Sequence, residues 1–258
     1  MTMVDDTQDG DDPWLTTELT PEEEEALEAR ATRLHQARHD RINSLVLQAT
    51  HTPEHSTRQA EVARAQFLLH SPLNSPMELS DALSPDQLAL VRRVLDHVPE
   101  DAWHHQRHAT FPTRDLPVSH VPELASWLPS HLLTTSLLPR IFHRTHIPPE
   151  CLAFRDLFIV RYSADPGEQD ALAIHTDGCL FSFNILLNSL DDFEGGGTYF
   201  PDLDRHIQLA PGHALIHDAR IRHAGLAVTR GTRIILAGFL DTLPFRIHPK
   251  YPPPPAHP

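Results

Sequence analysis

Within the stretch AIHTDGCLFSFNILLN (residues 173–188), His175 and Asp177 set an imidazole and a carboxylate two positions apart. In a strand, residues i and i+2 project to one face, so both side chains can converge on one point. They would supply two-thirds of a 2-His-1-carboxylate site, which holds Fe(II) and leaves coordination positions open. The triplet alone carries little weight. With 20 histidines and 35 acidic residues among 258, chance yields roughly two or three H-x-[DE] triplets. Its meaning depends on a third ligand and on what else reaches the same place.

The downstream histidines are His206, His213, His217, His223, His248 and His257. The last two lie in or beside a proline-rich tail, PKYPPPPAHP, that suits polyproline II. His213 and His217 can share a strand face in HALIH, so His217 is an alternative ligand. His223 is distinguished by the segment it opens, HAGLAVTRGTRIILAGFL. There Arg233, Ile235, Ala237 and Phe239 share one face of a strong strand pattern. An arginine on a buried face needs an anionic partner, and a carboxylate matches its forked guanidinium best. That partner is either an internal Asp or Glu or the carboxylate of a ligand.

The elements that must position these residues fall into two parts. Residues 1–13 are acidic and polar and read as a disordered tail. A helical arm is expected over 14–83. Thr20, Pro21 and Glu23 form a capping-box start to its first helix, and PEHSTRQAEVARAQFLLH makes a second. A third helix begins at Ser84 and Pro85. The stretch VPELASWLPSHLLTTSLLPRIF predicts one or two buried helices interrupted by Pro129. From about Leu157 the period changes to short β-rich runs, among them LFIVRY, LFSFNILLN, GGTYF, HIQLA, HALIH and TRIILAGFL. Such a series without intervening helices predicts an antiparallel jelly roll, giving an α+β chain with N-terminal helices bracing the sheet. The domain carrying the site is expected over 84–248, followed by the tail 249–258.

Composition narrows the function classes. The net charge of −14 argues against nucleic acid as a partner, because phosphate-backbone affinity comes from basic residues. No run reaches 18 apolar residues, so no membrane span is expected. The N-terminus lacks a basic region followed by an apolar one, and the two cysteines, Cys151 and Cys179, make no disulfide framework. A cytoplasmic or nuclear location is expected. Nothing in the sequence fixes an oligomeric state.

Read together, LFIVRY, HTDG, FNILLN, FEGGGTYFP, PGHALIH and HAGLAVTRGTR resemble, in matching order over roughly residues 100–243, the catalytic domain of Fe(II)- and 2-oxoglutarate-dependent dioxygenases. The pattern is similar to that of the procollagen lysyl hydroxylase and prolyl 4-hydroxylase branch. The resemblance implies a double-stranded β-helix with His175, Asp177 and His223 as iron ligands. It implies that Arg233, ten residues after His223, pairs with the distal carboxylate of 2-oxoglutarate. Tyr162 would donate a hydrogen bond to the same carboxylate, and Asn184 would line the cosubstrate pocket. Dioxygen and L-ascorbate, the latter as reductant, complete the implied set. The implied reaction hydroxylates a C–H bond, favouring a peptidyl proline or lysine, and forms succinate and carbon dioxide. The alternatives are a small-molecule substrate, a jelly-roll enzyme using another metal without 2-oxoglutarate, and a non-catalytic binding module. Where the pattern usually has proline, this chain has Ala227, which alters turn stiffness rather than chemistry.

Two further features are expected to be structural. Glu194 and the three glycines after it shape a turn whose backbone angles suit glycine. The run WHHQRH, Trp103–His108, reads as polar surface rather than a metal tract. The loop SADPGEQDALA between Tyr162 and His175 is acidic enough to attract a basic side chain.

Overall fold

Helix and strand boundaries follow local chemistry at most positions in the computed structural model, which describes residues 55–70, 75–104 and 113–242 together with Ala29. Helix α1 (His55–His70) precedes strand β1 (Met77–Leu79) and helix α2 (Pro85–Leu95). Ser84 caps α2 reciprocally: its hydroxyl accepts from the Gln87 amide, and the Gln87 side chain accepts from the Ser84 amide. Strand β2 (Arg114–Pro117) leads into three short helices, α3 (Pro122–Ala125), α4 (Leu128–His131) and α5 (Leu138–Thr145). Pro129 does not interrupt a helix as expected; it opens α4, where its missing N–H costs nothing. The break falls instead over Leu132–Leu137, which winds as a π-helix into Pro139. A proline there removes a helical donor and crowds the carbonyl one turn earlier, widening the coil. The expected first helix and both tails lie outside the described residues.

The remaining strands are β3 (Leu152–Ser163), β4 (Leu172–His175), β5 (Phe181–Leu186), β6 (Phe193–Gly195), β7 (Thr198–Phe200) and β8 (Arg205–Ile207). They are followed by β9 (Ala214–Asp218), β10 (His223–Gly225) and β11 (Val228–Thr242). One sheet runs β1-β9-β5-β11-β3-β2, with β6 on the early part of β11, and a four-stranded sheet runs β4-β10-β7-β8. All pairings are antiparallel. This is the predicted jelly roll. The edge strand β1 lies on the arm side of residue 84, and both β1 and β2 precede the period change at Leu157.

Two cores result from the alternation of strand residues. Phe181, Phe183 and Ile185 of β5 point outward to meet the helices, and Ile159 of β3 and Leu236 of β11 join the same cluster. Phe67 of α1 tilts against Phe181 at 4.5 Å between ring centroids, and Val91, Leu124 and Ile141 complete the cover. On the other face, Phe158, Val160, Tyr162, Leu186, Leu215 and Ile235 meet Phe200 and Ile207 of the smaller sheet. The polar positions of β5, Ser182 and Asn184, look into the space between the sheets. No helix among the described residues is long and apolar enough to cross a membrane.

Candidate active site

Between the sheets lies a cavity of about 310 Å³, and His175, Asp177, His223, Arg233, Tyr162 and Asn184 all line it. Strand pairing brings them together. His175 ends β4 directly opposite His223 on β10, and Arg233 on β11 is directly opposite Tyr162 on β3. Asp177 is not on the strand with His175 as expected; β4 stops at His175. The turn after it carries Asp177 back into place, its amide donating to the Ala219 carbonyl at 2.9 Å. The chain then enters β5 at Phe181.

One ligand atom from each of His175, Asp177 and His223 lies within 4.8 Å of the others. His175 Nε2 is 3.5 Å from Asp177 Oδ1, and His223 Nε2 is 3.4 Å from Asp177 Oδ2. The other ring nitrogens are committed. His175 Nδ1 lies 2.7 Å from the Ala173 carbonyl and His223 Nδ1 lies 3.0 Å from that of Ile221. A carbonyl only accepts, so both Nδ1 atoms carry the proton and both Nε2 atoms present a lone pair to a metal. Ser182 donates its hydroxyl to Asp177 Oδ2 and orients the carboxylate.

The electrostatics suit the same use. Burial would raise the Asp177 carboxyl, but its bond to His175, the His223 and His217 charges and the Ser182 hydroxyl hold it at about 2. Burial, reinforced by His217, pushes His223 down to about 3. Burial also works against a charged His175, but the Asp177 carboxylate outweighs it and raises that imidazole. An ionised carboxylate beside two imidazoles that present Nε2 is a donor set for a divalent transition metal.

Arg233 is 2% exposed. No carboxylate among the described residues pairs with it, and its Nε has no hydrogen-bond partner. The internal Asp or Glu that would have made it structural is therefore absent among those residues. Its guanidinium lies 5.8 Å from the Tyr162 ring centroid. Burial lifts the Tyr162 hydroxyl to about 12, so it remains a donor at neutral pH. Asn184 extends the polar wall, its amide 3.4 Å from the Thr198 hydroxyl, with Oδ1 buried and unpartnered. A buried cation, a protonated phenol and a primary amide make a receptor for an anion.

Gly195, Gly196 and Gly197 all adopt positive φ, at +77°, +72° and +93°, in keeping with the expected turn. A Cβ on Gly196 would sit 2.9 Å from Cδ of Arg233. The Gly196→Ala substitution is expected to destabilise the protein by ~1–2 kcal/mol, the cost of a left-handed L-residue. It should also weaken anion binding by moving the guanidinium, which thermal melts with and without 2-oxoglutarate will read out.

The sequence missed Ser182, Thr198 and Arg155 as members of the site. Ser182 and Asn184 share a face of β5, so the pattern held a signal for Ser182; Arg155 had none. His217 also lines the cavity but lies outside the cluster of His175, Asp177 and His223, its ring 4.4 Å from that of His223 and 5.3 Å from that of Phe200. Cys179 is buried, and its thiol is raised by that burial. In the acidic loop, Glu168 pairs with Arg114 and Asp165 accepts from Ser163, so two of its acids serve to fix the loop. Of WHHQRH, only Trp103 and His104 are described; Trp103 is buried beneath the Arg161 guanidinium.

No family model matches the chain. In sequence it is similar to procollagen lysine hydroxylases. The rat multifunctional procollagen lysine hydroxylase and glycosyltransferase LH3 is 36% identical over 137 residues, which are 50% of this chain and 18% of that protein. Human procollagen-lysine,2-oxoglutarate 5-dioxygenase 1 is 44% identical over 89 residues, 33% of this chain and 12% of that protein. The chain thus spans less than a fifth of the length of these relatives. Among solved structures, an oxidoreductase of the 2OG-Fe(II) oxygenase family from Burkholderia pseudomallei superposes with a TM-score of 0.51 at 18% identity, covering 70% of this chain and 90% of that one. That likeness is one of fold.

Proposed function

We propose that this chain is an Fe(II)- and 2-oxoglutarate-dependent dioxygenase that hydroxylates a C–H bond of a peptidyl proline or lysine. The observation that carries the reading is Arg233, a buried guanidinium without an acidic partner among the described residues, in the same cavity as the His175, Asp177 and His223 donors. A metal enzyme on this fold with no anionic cosubstrate has no use for that cation. Sequence relatives named as procollagen lysine hydroxylases support the same assignment and a peptide side chain as substrate.

His175 and His223 would bind Fe(II) through Nε2 and Asp177 through a carboxylate oxygen. Arg233 would take the distal carboxylate of 2-oxoglutarate as a charge-assisted pair, with Tyr162 donating to it and Asn184 bounding the pocket. When bound, iron, 2-oxoglutarate and dioxygen supply the oxidation: R–H, O2 and 2-oxoglutarate give R–OH, succinate and CO2. The chain's own residues would hold the metal through three donors, fix the cosubstrate at its far end and shield the reacting C–H bond from bulk water. Phe158 and Phe239, edge to face at 5.4 Å, give the cavity an apolar wall suited to an alkyl or ring substrate. L-ascorbate is the proposed reductant. Two buried cysteines outside any disulfide fit a reducing compartment, the cytoplasm or nucleus.

The test is turnover. Protein supplied with Fe(II), 2-oxoglutarate, ascorbate and oxygen is expected to form succinate slowly without substrate and faster with a peptide that gains 16 Da. Absence of succinate from folded protein, or undiminished succinate from His175→Ala or His223→Ala, would overturn the assignment.

A further inference from the structure

Asp241, near the end of β11, is 1% exposed. A carboxylate so deep requires cationic partners, and two arginines from different elements supply them. Arg64 of α1 pairs with Oδ1, and Arg155 of β3 lies 3.9 Å from Oδ2. Arg155 does a second thing: the same guanidinium nitrogen donates to the carbonyl of Gly178, the residue immediately after Asp177. Arg155 and Gly178 both line the cavity. The turn that presents Asp177 is also held by the Asp177 amide on Ala219, by the Leu180 amide on Leu240 and by the Ser182 hydroxyl.

We propose that Arg155 is a positioning residue for the metal-ligand turn, and that α1 acts on the site through Arg64, Asp241 and Arg155 in series. The inference rests on the metal site assigned above. Asp241 fixes the guanidinium of Arg155 from behind, and Arg155 in turn fixes the Gly178 carbonyl, limiting the arc through which Asp177 can swing. Arg64 anchors Asp241 from the helix layer. With Arg64 removed, Asp241 can turn wholly toward Arg155 and pull the guanidinium away from Gly178. The helices that cover the outer face of the larger sheet thereby bear on a ligand on its inner side. The first two links are ion pairs and the third a hydrogen bond from a guanidinium to a backbone carbonyl, joining residues far apart in sequence, the kind of contiguous network that can carry coupling.

The experiment titrates Co(II), as a redox-inert stand-in for Fe(II), into the full chain by calorimetry. A parallel arm measures hydrogen exchange at the Asp177 amide in the metal-free protein. Arg155→Gln is expected to weaken Co(II) roughly tenfold, the lower range for outer-shell partners of metal ligands, and to speed exchange at Asp177. Arg155→Lys, which keeps a cationic donor, should recover most of both. Arg64→Gln should produce a smaller loss, and that loss should vanish in the Arg155→Gln background because the two act in series. Arg230→Gln, which breaks an exposed pair with Glu194, should change nothing. Unchanged Co(II) affinity and unchanged exchange in Arg155→Gln would overturn the proposal, and additive losses in the double variant would overturn the series. Should Arg155→Gln fail to fold, Arg64→Gln decides by the same readouts, and wild-type Co(II) affinity and exchange in it would overturn the proposal. If the wild-type chain takes no Co(II), the metal-site reading falls, and the exchange arm still decides whether Arg155 fixes the turn.

Discussion

Replacing Arg233 with methionine is expected to weaken 2-oxoglutarate binding strongly while leaving the ligand-free protein at least as stable as before. The two halves of that result have one cause. In the free protein the guanidinium is buried, and burial already disfavours its charged form, with no carboxylate to offset the cost among the described residues. A methionine of similar length fills the same space without a charge to desolvate. Arg233 lines the cavity rather than solid core, so the gain should be modest. A gain of ~1 kcal/mol would raise Tm by roughly 2–4 °C in a domain of 150–250 residues. Binding moves the other way. Truncating one member of a buried charge pair costs ~2–5 kcal/mol, or roughly thirtyfold to several thousandfold in Kd. Thermal melts across a 2-oxoglutarate series give both halves at once, because a ligand that binds only the folded state raises Tm with concentration. A melting temperature several degrees lower in the free variant would mean that Arg233 is a structural cation, and the cosubstrate reading would lose its main support.

How much of this was legible in the sequence depends on the range of the interactions involved. The alternation of Arg233, Ile235, Ala237 and Phe239 is local, and β11 presents all four to the cavity. The glycine turn at 195–197 was legible for the same reason, since positive φ is a property of single residues. The meeting of His175 with His223 is a cross-strand pairing, which periodicity does not specify; it was readable only through a resemblance of ordered motifs. Asp177 shows the limit of strand logic: two residues beyond His175 it reaches the same point by a turn after the strand has ended. Strands β1 and β2 were missed because three or four residues, one strand reading Arg-Asp-Leu-Pro, carry too little alternation to detect. Asp241, Arg64 and Arg155 are distant in sequence, and each alone resembles an ordinary surface charge. Only the folded chain shows that they share one buried place.

Asp177→Asn should separate the metal from the cosubstrate in the opposite sense to Arg233→Met. Asparagine keeps the size of the side chain and can still accept the Ser182 hydroxyl, so the turn need not collapse. What disappears is the charge that His175 and His223 now face at 3.5 and 3.4 Å. In the free protein the loss is small, because His223 is already neutral at physiological pH, its imidazole near 3 even with Asp177 raising it, and His175 loses the anion that raises it. For a divalent ion the loss is large: a hard oxygen donor and a negative charge go together. Since disturbing partners one shell further out already costs ~10–100-fold in metal affinity, removing the carboxylate itself should exceed ~100-fold. Succinate formation should fall at least as far. On the proposed function 2-oxoglutarate would be held partly through the metal, so its affinity should fall too, whereas Arg233→Met should leave Co(II) affinity unchanged. The four affinities of these two variants therefore discriminate the roles. If Asp177→Asn kept wild-type Co(II) affinity and turnover, the carboxylate would not be a ligand, and His217, whose ring meets that of His223 edge to face, would be the next group to test.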